Sequence, residues 1–505
     1  MKEDLLKNGR SEARVSRTKL QTEENLASGA QVEEKEVRGD DASNGGAAAS
    51  NMDDMATRPA RLKDVIRLAA PIIVSMVSMS LLGLVDTLFM RWVGSGAQAA
   101  IGLGSPLTFS IMSFFWGTLA GVTTFVSQYF GAKKYGESGK LLWHSVGIAL
   151  IFGVLTIIVV IPLVWQLLVF MQTNGEIIDD AFRYMKVRLL AAPIVYASFA
   201  FVSFLRGIGD MKTPAITALV TVAANIPLTY IFTFGLGPIP AYGVTGAAIG
   251  TILSQLIELL CFMKVVLNKK HGMQYKTRQW YKPELSVLKA FFAVSLPIGI
   301  SWALEHVGWA AFGLFIGSLD KESAAAHAIV QVFMNLVFMP GLAISIAATT
   351  LVGQFMGAGN VKSAEKSAYY SIWICLGFLL GIGAIIFVCR YWIAEGFSTD
   401  AKVIQICANL FCFGIAYQVF DGIGVPSMGA LRGAGDTRFP MLLMFLCMWG
   451  LMIPLVYLFG RYLGYGVYGA WGAMCISCMM MGLGSFGRFR RGRWKSMGVI
   501  HRTEN

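Results

Sequence analysis

Four carboxylates stand inside otherwise apolar stretches of this 505-residue chain: Asp86, Glu258, Glu305 and Asp421. A charged aspartate at the centre of a bilayer-spanning helix costs roughly 2.5 to 3.5 kcal/mol on insertion scales, so each of these groups needs a compensating role. Glu305 and Asp421 have no lysine or arginine within a helical turn. Tyr417 precedes Asp421 by four residues, which puts the two side chains on one helical face. A phenol beside two carboxylates can donate a hydrogen bond to one of them, and the set supplies hard oxygen ligands suited to Na+ or to a shared proton. Neighbouring carboxylates in a low dielectric repel each other, and an arriving cation relieves that repulsion. Asp86 precedes Arg91 by five residues, which fits an interfacial ion pair as well as a titratable site. Glu258 lies about two turns before Lys264, within reach of the inner interface.

Other chemistries lack their residues. No nucleophile has a positioned base, so the sequence points away from an enzyme. The glycines after Arg206 lack the spacing and the lysine of a phosphate loop. His144, His306 and His327 occur singly in apolar runs, as packed core histidines do, and Cys475 and Cys478 have no second pair to complete a zinc site. All eight cysteines lie between Cys261 and Cys478, mostly in apolar segments, where thiols behave as small hydrophobes. No cofactor is expected beyond Na+ or H+ as a coupling ion, with Glu305 and Asp421 as its ligands.

The elements that position these acids follow from hydropathy. Hydrophobic residues make up 55% of the chain and charged residues only 14%, against about 25% in a soluble domain. The net charge of +12 would suit nucleic acid, but the basic residues fall in short runs between apolar stretches, which excludes that partner and leaves the lipid bilayer. A span needs about 20 apolar residues. The chain offers twelve: 65–91, 101–129, 141–171, 180–206, 214–235, 244–268, 288–318, 325–356, 366–394, 402–432, 438–460 and 466–487. Prolines 71, 297 and 426 fall inside spans 1, 7 and 10 and mark expected bending points. Residues 1–57 are charged and low in aromatics, and read as a disordered cytoplasmic tail without a signal peptide. With both termini inside, the inner flanks carry 26 lysines and arginines and the outer flanks 8, as the positive-inside rule requires of a multi-pass plasma (inner) membrane protein.

An internal repeat organises the spans. Leu205-Arg-Gly-Ile-Gly-Asp-Met-Lys-Thr-Pro214 recurs as Leu431-Arg-Gly-Ala-Gly-Asp-Thr-Arg-Phe-Pro440, an offset of 226. The same offset carries Pro71 onto Pro297, and Gln128, Gly131 and Ala132 onto Gln354, Gly357 and Ala358. Six spans per unit return each half to its starting side, so the halves are parallel and their pseudo-twofold axis runs along the membrane normal. The expected fold is an all-α membrane protein of twelve transmembrane helices in two pseudo-symmetric six-helix lobes around a central cleft. The divisions are an N-terminal lobe at 58–268, a cytoplasmic linker at 269–287, a C-terminal lobe at 288–488 and a basic cytoplasmic tail at 489–505. Both Arg-Gly-x-Gly-Asp turns read as structural, a glycine ending one helix and a proline opening the next.

Two six-span lobes, the paired L-R-G-x-G-D turns, Val85-Asp86-Thr87, Glu305 and Tyr417-Gln-Val-Phe-Asp421 together resemble the multidrug and toxic compound extrusion (MATE) family, in particular its NorM-like branch, over residues 60–490. The resemblance implies a secondary antiporter that exports organic cations and drugs in exchange for Na+ or H+ by alternating access, acting as a monomer. It implies a C-lobe cation site of Glu305, Tyr417 and Asp421, with Asp86 as a second titratable site in the N-lobe. Span 5 lacks the acid that N-lobe-coupled branches carry, which favours coupling in the C-lobe. The alternative is a flippase for a lipid-linked sugar or polar lipid, which wants a basic cleft where this chain places acids.

Overall fold

Backbone groups in hydrocarbon must find partners within their own segment, and this chain answers with helices. The computed structural model describes residues 55–170, 175–279 and 281–500, and the side chains of residues 79, 81, 82, 84, 86, 87, 95, 167, 170 and 175–177 fall outside that description. The chain divides into the units Met1–Thr57 and Arg58–Asn505, and every element below belongs to the second. The segment read as a disordered tail lies outside the described residues except for 55–57.

The helices are α1 Leu62–Val93 and α2 Ser95–Gly131. Next comes α3, which runs as Tyr135–Leu155, a π turn Thr156–Val160 and Ile161–Phe170. α4 is built from two pieces, Gly175–Leu190 and Ala192–Ile208. α5 Lys212–Phe234 and α6 Gly243–Val266 complete the first half. A short helix, Lys269–Gln274, leads to α7 Leu285–Gly317, α8 Lys321–Gly357, α9 Val361–Glu395 and α10 Ala401–Ala434. α11 runs from Arg438 to Tyr462 through two π turns, and α12 is Gly466–Arg490. Ten helices among the described residues are long and apolar enough to cross a bilayer, and eleven if the two pieces of α4 are one span. α1, with 32 residues, is the remaining long helix, at about 48 Å by the usual helical rise.

Prolines act here in two ways. Pro71, Pro297 and Pro426 sit within continuous helices. A sharp bend, 52°, falls between the pieces of α4, where Pro193 opens the second piece and cannot donate to the turn before it. The π turn of α3 and the first of α11, Leu446–Met452, precede Pro162 and Pro454, whose missing N–H groups disturb the i→i−4 ladder.

The repeat is visible in the packing. α1 packs on α8 and, at the equivalent place, α7 packs on α2, while α2 and α8 pack on each other. Both L-R-G-x-G-D turns end their helices alike: Gly209 and Gly435 are left-handed at φ 87° and 92°. Asp210 N–H donates to Leu205 C=O and Asp436 N–H to Leu431 C=O, both at 2.9 Å, the longer bond of a Schellman cap.

The same turns also join the lobes. Thr124 Oγ1 donates to Arg432 C=O at 3.0 Å and Gln128 Nε2 to Gly433 C=O at 2.9 Å. Their counterparts 226 residues later, Thr350 Oγ1 and Gln354 Nε2, donate to Arg206 C=O at 3.1 Å and Gly207 C=O at 3.0 Å. Gly131 and Gly357 let the backbones meet: a Cβ on either would lie 1.9 Å from the carbonyl oxygen of Gln354 or Gln128. The turns that looked purely local are thus the docking points between lobes, at the end of the bundle that carries the basic loops. Beyond α12, residues read as a basic tail turn through Arg493–Ser496 and pack against the protein as far as Ile500.

Candidate functional site

α10 carries Tyr417 and Asp421 one turn apart, and both are buried, with about 6% of each exposed. The helix is held among α8, α9 and α12, which shuts this face off from lipid. Glu305 projects from the middle of α7, part-buried, and its charge acts on Asp421. Next to it, Trp449 Nε1 of α11 donates to Leu304 C=O at 3.2 Å, which ties α11 to α7. The structure therefore brings Glu305, Tyr417 and Asp421 into one electrostatic neighbourhood. Among the described residues none of the three makes a side-chain hydrogen bond or ion pair with protein. Arg432, nearer the basic end of α10, interacts with Glu305 electrostatically but makes no ion pair with it, so no protein cation neutralises either carboxylate by contact.

The rest of this neighbourhood is soft and weakly polar. Cys375 of α9 and Cys475 and Cys478 of α12 lie near Asp421, and all are free thiols. Gln418 donates Nε2 to Met334 Sδ at 3.3 Å, and its buried Oε1 has no hydrogen-bond partner. No group of three or more His, Cys, Asp or Glu side chains among the described residues has metal-holding geometry. A cation held between Glu305 and Asp421 would take its remaining oxygens from the phenol, backbone or water.

Asp86 lies on α1 in the N-lobe, and its side chain is outside the described residues. Glu258 does not stand alone: the Arg206 guanidinium on α4 attracts it electrostatically, which supplies compensation within the lobe. The histidines are structural. His144 accepts Glu284 N–H on Nε2 at 3.1 Å, so Nδ1 carries the proton and donates to Lys140 C=O at 2.7 Å. His306 turns from the acids toward Phe109 of α2, with ring centroids 4.9 Å apart. His327 packs edge-on between Phe312 and Trp471.

A polar stripe on α5 went unnoticed in the sequence. Thr217, Thr221, Asn225, Thr229 and Thr233 recur every fourth residue, and all are buried. Asn225 Nδ2 reaches Thr251 Oγ1 at 3.5 Å and Ser254 Oγ at 3.4 Å on α6, while Asn225 Oδ1, Thr229 Oγ1 and Thr233 Oγ1 have no hydrogen-bond partner. The strict i, i+4 recurrence of polar residues in an apolar span was the available signal. A search for charges alone passes over it.

Two helical lobes docked about a pseudo-twofold axis, with two carboxylates free of ion pairs gathered in one of them, define a multi-pass membrane transporter. The MatE family profile matches residues 71–231 and 297–458, one copy per lobe, and the chain belongs to that family of multidrug efflux transporters. It is 30% identical over 407 residues to "Probable multidrug resistance protein NorM" of Thermotoga maritima, covering 80% of this chain and 87% of that one. It is 29% identical over 403 residues to "Multidrug resistance protein PmpM" of Pseudomonas aeruginosa, covering 79% and 84%. A solved transporter of the MOP superfamily from Pyrococcus furiosus shares the fold at TM-score 0.78 and 23% identity, over 86% of this chain and 96% of that chain. An outward-facing multidrug resistance MATE transporter does so at TM-score 0.77 and 22% identity, over 89% and 98%.

Proposed function

We propose that this protein is a secondary active antiporter that exports organic cations or drugs from the cytoplasm in exchange for Na+ or H+. The observation that carries the reading is the pair Glu305 and Asp421, one on each of two C-lobe helices, Asp421 buried beside Tyr417 and Glu305 part-buried, neither of them in an ion pair with protein. An ion entering between the carboxylates removes their repulsion and stabilises whichever arrangement of the lobes holds it best. Coupling requires only that this preference differ between the two arrangements. The basic end faces the cytoplasm, both termini lie on the cytoplasmic side of the plasma membrane, and the chain works as a monomer. Lobes joined at the basic end then correspond to a transporter closed toward the cytoplasm.

The test follows uptake of a fluorescent organic cation into inverted vesicles, driven separately by a Na+ gradient and a pH gradient. One gradient suffices for the native chain. E305Q and D421N each bring gradient-driven transport down to the empty-vesicle background while the protein still inserts. Native rates in both variants would end the proposal.

A further inference from the structure

The two Gln side chains that dock the lobes are used unequally. Gln354 gives its Nε2 to Gly207, and its Oε1 is buried without a partner. Gln128 gives its Nε2 to Gly433, and its Oε1 accepts the backbone N–H of Val499 at 2.7 Å. Val499 therefore caps an amide that already bridges the lobes.

The path of the chain beyond α12 explains how Val499 arrives there. Arg488 pairs with the buried Asp436 at 2.8 Å, and Lys495 pairs with Glu365 of α9 at 2.7 Å. The fully buried Trp494 stacks on Phe489 with the rings 9° from parallel and donates Nε1 to Phe489 C=O. All these anchors are in the C-lobe. The next residues reach across: Val499, wholly buried, joins an apolar cluster drawn mainly from the N-lobe, with Phe125, Val126 and Ile208, that also takes in Phe291 and Val294 of α7, and Ile500 packs against the same cluster. On the way, Met497 C=O and Val499 pass close over Gly435, where a Cβ would lie 2.7 Å from Val499 Cγ1.

We infer that Gly492–Ile500 is a strap: a segment anchored in the C-lobe whose last residues plug into the N-lobe and hold the lobes together at the basic end. Separation of the lobes at that end must withdraw Val499 from the core and break its bond to Gln128. The strap therefore stabilises the arrangement closed at the basic end and sets how readily the protein leaves it. Its two grips, the ion pair and stacked rings on one side and an apolar plug on the other, allow release without unfolding a helix. The role in the transport cycle rests on the antiporter reading above; the mechanical claim does not.

The experiment separates the two. A reporter thiol, S127C, faces Gly353 across the lobe seam, and its alkylation by an impermeant maleimide from the basic face is timed in inverted vesicles, against the parent protein with its own free cysteines. Val499→Ser, truncation after Ser496 and Glu365→Gln should each speed labelling: Val499→Ser, which keeps its backbone N–H, by about tenfold for the lost valine contact, and the truncation by more because it also loses the bond to Gln128. In a second arm, a short bis-methanethiosulfonate joins G498C to Q128C and should stop fluorescent-cation transport until reduced. If truncation leaves an unfolded protein, Val499→Ser and the cross-link decide. Unchanged labelling in the strap variants, failure to cross-link, or cross-linked protein that transports at the native rate overturns the strap. Loss of the antiporter reading would leave the labelling result standing.

Discussion

The N-lobe and the C-lobe share a framework and differ in chemistry. At the repeat offset of 226, the caps, the docking glutamines and the close-packed glycines all have partners. The acids do not: Glu305, Tyr417 and Asp421 correspond to Met79, Ala191 and Val195, and Asp86 corresponds to Phe312. The N-lobe instead lines α5 and α6 with neutral oxygens, and its Glu258 has Arg206 for company. Duplicated parts hold the shape, and the residues of the proposed ion site have no counterparts.

Exchanging the unmatched residues is the most severe way to break this contrast. Val195→Asp places a carboxylate in a nearly dry N-lobe site with no partner built for it, and should cost several kcal/mol, seen as loss of folded protein in detergent melting or size exclusion. Asp421→Val, the reverse exchange, should leave the fold at least as stable, because it removes an uncompensated buried charge, yet bring gradient-driven transport to background. Two stable and active exchange variants would remove the distinction between the lobes.

The glycine pair sharpens the shared half of the contrast. Gly131→Ala and Gly357→Ala put a methyl into a facing carbonyl, and each should destabilise by about 1 to 3 kcal/mol, by nearly equal amounts. A large inequality in melting would mean that the lobe seam is not symmetric.

The smallest effect lies in the linker. Glu284 has its carboxyl held below the ordinary value, first by the hydrogen bond from Lys140, with which it also forms an ion pair. A carboxyl lowered on folding stabilises the native state at pH above its unfolded value and loses that contribution as pH falls through the folded one. Glu284→Gln should flatten a slight acid-side slope in stability below the ordinary carboxylate range, and leave melting near pH 7 almost unchanged because the pair is exposed. A slope that persists in the variant assigns it elsewhere.

Much of this was legible in the sequence because bilayer physics leaves few choices. Apolar runs predicted the helices, an offset of 226 predicted the paired lobes, and glycine in L-R-G-x-G-D predicted the helix ends. Glu305, Tyr417 and Asp421 stood out because charge in hydrocarbon is costly. What escaped depended on three-dimensional neighbours. The bend of α4 falls at Pro193, which was not among the expected bending points. Arg206 and Glu258 are far apart in sequence. The docking role of Thr124 and Gln128 exists only once the other lobe presents its free helix-end carbonyls, and the burial of Val499 only once the lobes have closed.

The exchange of matching hydrogen bonds between Thr124, Gln128 and Thr350, Gln354 has a further consequence. The seam is isologous, like that of a twofold homodimer written into one polypeptide. A clasp of two identical hooks lets go of both in a single rigid rotation, since neither can stay fastened while the other swings free. Parting at this seam should then be steep and all-or-none, with no half-unfastened species accumulating.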